Sequence, residues 1–149
     1  MAASAPELSQ CDDGEMDGLH TAQLALRIAL AAVFAFMGAL HFVPSVARGM
    51  RAMIPPPLRR PGWPAALVVI TGGCELLGAA GLLVPWEGLR LATGICLVVF
   101  LIAVFPANAY AARDPERFGR TAIPFWPRLL LQVLLIAAVI LAAWPLPLR

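Results

Sequence analysis

The chain contains no lysine; all 11 of its basic residues are arginine. Charge of either sign is scarce, 13% of residues, against about 25% in an ordinary soluble domain. Cysteine is scarce too: Cys11, Cys74 and Cys96 form no Cys-x-x-Cys pair, which excludes a thiol–disulfide relay of the usual kind. There is no histidine pair placed for haem, no His-x-x-x-His metal pattern, no glycine-rich phosphate loop and no Gly-x-Ser-x-Gly. These absences argue against a metal centre and against a self-contained enzyme with a recognisable reaction. The net charge of +2 reflects arginines gathered in two loops, so no nucleic-acid surface is expected.

What remains is overwhelmingly apolar. Hydrophobic residues make up 60% of the chain and the mean hydropathy is +0.80. Residues 28–47, 91–112 and 129–148 carry no charge, and residues 61–86 carry only Glu75. A helix needs about 20 apolar residues to cross the ~30 Å hydrocarbon layer of a bilayer. None of the runs alternates as a membrane strand would. The expected fold is therefore all-α, an integral membrane four-helix bundle with helices near 22–43, 65–85, 89–111 and 128–146. Trp63, Trp86, Trp126 and Trp144 each fall at an expected helix end, where interfacial tryptophans collect.

Residues 1–20 read as a disordered acidic tail and residues 21–149 as the membrane domain. The tail holds Glu7, Asp12, Asp13, Glu15 and Asp17 with no basic residue, so the first helix is not expected to be a cleaved signal peptide. Arg48, Arg51, Arg59, Arg60, Arg113, Arg117, Arg120 and Arg128 lie in or beside the loops after the first and third helices. Arg90, Arg149 and Arg27 belong to the other side. The positive-inside rule then places both arginine-rich loops in the cytoplasm and both termini outside. In the first loop, Met50, Met53 and Ile54 interleave with Arg48 and Arg51, which suggests a short amphipathic piece at headgroup level. Pro55, Pro56 and Pro57 interrupt regular helix after it. A faint repeat relates Phe42-Val43-Pro44 to Phe105-Pro106-Ala107, each followed by an arginine loop and Ile-Pro.

Glu75 is the most costly residue in this pattern, because a charge near the bilayer midplane is unfavourable unless it is paired or functional. By rise per residue it lies about 15 Å below the outer surface, and Arg27 lies about 7 Å below it. A Glu75–Arg27 pair is expected on that arithmetic. Thr71, Glu75 and Ala79 share a helix face flanked by Gly72 and Gly78, small residues that admit close neighbours. Two readings stand: a polar notch that holds a ligand, or plain helix packing. A second polar group, His41, Asn108, Arg128 and Gln132, is expected at the cytoplasmic end. There Pro106 frees backbone carbonyls that need donors. Cys74 and Cys96 read as small apolar packing residues.

These residues also carry a resemblance. Gly38-Ala39-Leu40-His41-Phe42-Val43-Pro44, Glu75-Leu76-Leu77-Gly78, Val104-Phe105-Pro106-Ala107-Asn108, and Arg128 with Gln132 come one motif per helix. In that order they resemble the DoxX-like family of small bacterial membrane proteins. The resemblance spans roughly residues 24–146. It implies a four-helix bundle in the bacterial inner membrane, with His41, Glu75, Asn108, Arg128 and Gln132 as matching positions. It also implies, by analogy with the membrane subunit of a thiosulfate:quinone oxidoreductase, a subunit that binds a quinone or similar small hydrophobic molecule beside a redox partner. The chain lacks the cysteine pair of a thiol-redox member. The alternative is a structural or interaction protein in which the buried charges only fix helix register. Proton or solute passage would require a homo-oligomer.

Overall fold

The computed structural model describes residues 5–113 and 124–145, with side chains described from Met16 onward. Among these residues all regular structure is helical. The helices are α1 (Ala5–Leu40), α2 (Pro44–Ala52), α3 (Trp63–Leu82), α4 (Glu87–Ala112) and α5 (Phe125–Ala143). All but α2 contain a stretch long and apolar enough to cross a membrane, that of α1 being Met16–Leu40. Arg117 and Arg120 of the second expected loop lie outside the described residues.

Helix α1 starts at Ala5 rather than near residue 22, so the segment read as a disordered tail continues the first helix. Pro6 in the opening turn suits a helix start, since its ring fixes φ near the helical value and its missing N–H would have no helical acceptor there.

The four long helices form a closed ring in which α1 packs on α3 and α5, and α4 packs on α3 and α5. Neighbours run antiparallel, as the contacts along each pair show. At the α3–α4 contact Gly78 lies against Leu97 and Gly81 against Thr93; at the α4–α5 contact Gly94 lies against Ala143. A Cβ at any of these glycines would stand 2.4 Å or less from its neighbour, so each lets two helices approach closely. Leu30, Phe34, Leu82, Leu97, Leu101 and Val139 fill the centre.

Large apolar side chains also cover the outside, among them Phe36, Leu77, Val99 and Leu141. A bundle that is apolar inside and out is built for an apolar solvent. All four tryptophans are exposed, with Trp63 and Trp126 at one end and Trp86 and Trp144 at the other.

The amphipathic piece expected near Met50 is α2. Its Ala47, with Met50 and the following Ile54, packs on Val68 and Leu67 of α3. Pro56–Leu58 forms a single 3-10 turn. Arg59 ties this connection down by donating to the carbonyls of Ile54 and Ala52 and by lying over the Tyr110 ring of α4. Cys74 and Cys96 face outward rather than into the core, which corrects the packing role read from the sequence.

Candidate functional site

The tightest contact between α1 and α3 is glycine on glycine. A Cβ on Gly38 would stand 3.0 Å from the Gly72 carbonyl, and one on Gly72 would stand 2.6 Å from the His41 Cβ. With no side chains between them, the two backbones meet. The polar groups on either side are thereby drawn together.

His41 caps this crossing, one residue past the end of α1. Its Nδ1 lies 2.8 Å from the Val68 carbonyl and 3.1 Å from the Thr71 hydroxyl. That hydroxyl donates to the Leu67 carbonyl one turn back, at 2.8 Å, so it meets Nδ1 with its lone pairs. Both neighbours of Nδ1 are acceptors there, and Nδ1 therefore carries a proton whatever the charge of the ring. The second ring nitrogen, Nε2, is left facing Glu75 Oε2 at 3.5 Å. The two side chains are 11% and 14% exposed. One proton on the pair gives either imidazolium beside carboxylate or carboxylic acid beside neutral imidazole, and at 3.5 Å the two groups are too far apart for an ordinary hydrogen bond. Glu75 Oε2 is buried and accepts no hydrogen bond.

Beside this pair runs an apolar cleft of about 440 Å³, lined by Ile28, Ala31, Ala35, Leu76, Ala79 and Leu83 among others. Ala79 is one turn from Glu75 on α3, and Ala35 is close to one turn from Gly38 on α1. Leu76, the residue after Glu75, is also in the cleft wall. Its rim residues Ile28, Ala32, Ala80 and Leu83 are exposed, so it opens to the outside of the bundle.

The second expected group forms in part. Arg128 donates to Asn108 Oδ1 at 2.9 Å, and Gln132 donates to the Leu101 carbonyl at 2.8 Å. Helix α4 continues through Pro106, which removes the donor that the Ile102 carbonyl would receive and loosens that turn. Gln132 reaches the adjacent carbonyl, so the donor at the proline is Gln132, where the sequence suggested Arg128 or His41. His41 is bonded instead within the α1–α3 crossing.

Arg27 does not pair with Glu75. It donates from Nε to the Ala142 carbonyl at 2.8 Å and from a terminal nitrogen to Gln23 Oε1. The depth arithmetic failed because the Gly38–Gly72 crossing fixes the register. Arg27 lies eleven residues before Gly38 on α1, about 16 Å along the helix at its usual rise. Glu75 lies at the crossing itself.

Two buried polar residues were not singled out from the sequence, Gln23 and Arg90, at 8% and 5% exposure. Gln23 donates to the carbonyls of Leu141 and Trp144. Its spacing of four from Arg27 was the available signal. Arg90 carried no such mark and was counted only among the arginines of the outer side. Among the described residues no three of His, Cys, Asp and Glu gather as metal ligands.

Residues 30–143 fit the family model described as Domain of unknown function (DUF8561). The chain belongs to that family. The matched span includes the His41–Glu75 crossing and the Asn108–Arg128–Gln132 group and begins after Arg27. No curated protein and no solved structure matches the chain.

Proposed function

We propose that this member of the DUF8561 family is a multi-pass membrane subunit that holds a small apolar molecule with a carbonyl headgroup, such as a quinone. The headgroup lies at His41 and Glu75 and the apolar body in the α1–α3 cleft. The observation that carries this reading is Glu75 Oε2, a buried carboxyl oxygen without a hydrogen bond, on the residue next to Leu76 in the wall of an apolar cleft. Ligand sites commonly pair an apolar wall with a few convergent polar groups. With one proton on the pair, His41 or Glu75 has an N–H or O–H to give a quinone oxygen. Electrons would be exchanged with a redox partner protein. The resemblance to DoxX-like proteins supports the same reading. That resemblance also favours a bacterial inner membrane, and the arginines of α2 and its flanking loop favour having that end in the cytoplasm and both termini outside.

The protein purified in mild detergent should carry quinone in its lipid extract. Glu75→Gln should weaken quinone binding by about tenfold, the worth of one hydrogen bond to a charged group. An extract free of quinone, together with equal quinone affinity in wild type and variant, would remove the proposal.

The structural alternative draws on one observation, the hydrogen bond from His41 to Val68 that ties α1 to α3. It expects the bundle to loosen in Glu75→Gln with no ligand involved.

A further inference from the structure

Arg90 is the most deeply buried charged residue among those described, and its partners stand at long range. It stands in the first turn of α4, one turn before Gly94, which packs on Ala143 of α5. Its guanidinium offers five N–H donors and stays protonated. The Pro85 carbonyl lies 3.5 Å from Nη1, Glu87 Oε1 lies 3.7 Å from Nη2, and Nε has no partner. None of these reaches the 2.7–3.2 Å of an ordinary N–H···O bond. Other buried polar side chains at this end are well bonded: Gln23 and Arg27 hold the last carbonyls of α5.

Arg27 lies within electrostatic reach of both Arg90 and Glu87, so among the described residues these two guanidiniums face the same carboxylate. That carboxylate is 43% exposed and too far from Arg90 to bond it, so it can swing aside. Helix α4 begins here with no side chain capping its first amides, which adds free N–H donors and the positive end of the helix dipole. A planar guanidinium fork is suited to a tetrahedral oxyanion.

We propose that Arg90, backed by Arg27 and the opening turn of α4, binds a phosphate-type oxyanion at the end of the bundle opposite α2. Glu87 occupies the approach and yields when the anion enters. The site is separate from the His41–Glu75 crossing and does not depend on what binds there. A phospholipid headgroup and a free phosphate share this chemistry.

The test uses the full chain in detergent, stripped of phospholipid, with the thermal unfolding midpoint as readout. Inorganic phosphate and phosphatidylglycerol are titrated separately, against chloride at matched ionic strength and against diacylglycerol. A rise with phosphate marks a free anion, and a rise with phosphatidylglycerol alone marks a lipid headgroup; either supports the site. Arg90→Gln should weaken the response at least about tenfold, as loss of a charge-assisted bond pair implies. Glu87→Gln, a change at a half-exposed residue, should strengthen it. If Arg90→Gln does not fold, Glu87→Gln decides. Chloride matching phosphate together with diacylglycerol matching phosphatidylglycerol would overturn the proposal. So would a Glu87→Gln response no stronger than wild type.

Discussion

The two helical hairpins, α1 with α3 and α4 with α5, bury polar side chains and settle them differently. In α4–α5 the polar side chains spend themselves on the partner helix: Arg128 on Asn108, Gln132 on the Leu101 carbonyl beside a proline. Gln132 bonds the carbonyl next to the one that Pro106 deprives of its helical donor. In α1–α3 the histidine is equally well held, by the Val68 carbonyl, but the carboxyl it faces accepts nothing. Burying a polar atom without a partner is costly. The difference separates polarity that builds the bundle from polarity left over for something else. The same contrast divides the far end, where Gln23 and Arg27 are closely bonded, while Arg90 has only long contacts to Pro85 and Glu87 and a buried Nε without a partner.

The most severe way to break the comparison is to remove the close approach that creates the α1–α3 site. Gly72→Ala puts a methyl group 2.6 Å from the His41 Cβ, an atom fixed to the backbone that cannot move aside cheaply. Overpacking of this kind costs about 1–3 kcal/mol, so the unfolding midpoint should fall clearly. Gly73→Ala is the internal control. Nothing lies within 4 Å of a Cβ there, and a mid-helix alanine gains roughly 0.5–1 kcal/mol over glycine. Equal behaviour of the two variants, measured by circular dichroism in detergent, would mean that the crossing is not the tight contact described.

That crossing also marks where sequence reasoning ran out. The four spans were legible because hydrophobic length is set by a bilayer, and the tryptophans because they sit at its edges. Asn108, Arg128 and Gln132 were legible because Pro106 advertises carbonyls in need of donors. Glu75 stood out by its isolation. Its partner did not, because pairing across helices depends on register, and a shift of fourteen residues turns Arg27 into His41. Register here is set by which two glycines touch. Gly72 lies beside Gly73, and only the fold distinguishes the buried one from the open one. Arg90 was illegible for a related reason: it lies at the helix boundary, where a loop charge and a buried charge have the same sequence.

A smaller effect is expected from the satisfied hairpin. Gln132→Leu keeps an apolar shape but withdraws the donor from the Leu101 carbonyl. Hydrogen bonds between membrane helices average about 0.6 kcal/mol, so the loss should be near that figure and smaller than at Gly72. Thermal unfolding of the variant measures it. A loss as large as that of Gly72→Ala would show that the proline-side bonds, rather than the glycine crossing, hold the bundle.

The smallest effect on folding should come from Glu75→Gln, and there the contrast between the hairpins is sharpest. Glu75 Oε2 has no hydrogen bond to lose. A glutamine has nearly the same shape, and its amide N–H can donate to His41 Nε2 where a protonated carboxyl would. It also removes an ionisable group from a buried position. The stability change should stay within about 0.5 kcal/mol, below the value of an ordinary hydrogen bond. Gln132→Leu, although it changes a neutral residue, should therefore cost more than the removal of the only charge between residues 61 and 86. Thermal unfolding of the two variants side by side gives the order. If Glu75→Gln is the more destabilising, the carboxyl belongs to the scaffold and the register reading of the α1–α3 crossing stands in place of the ligand reading.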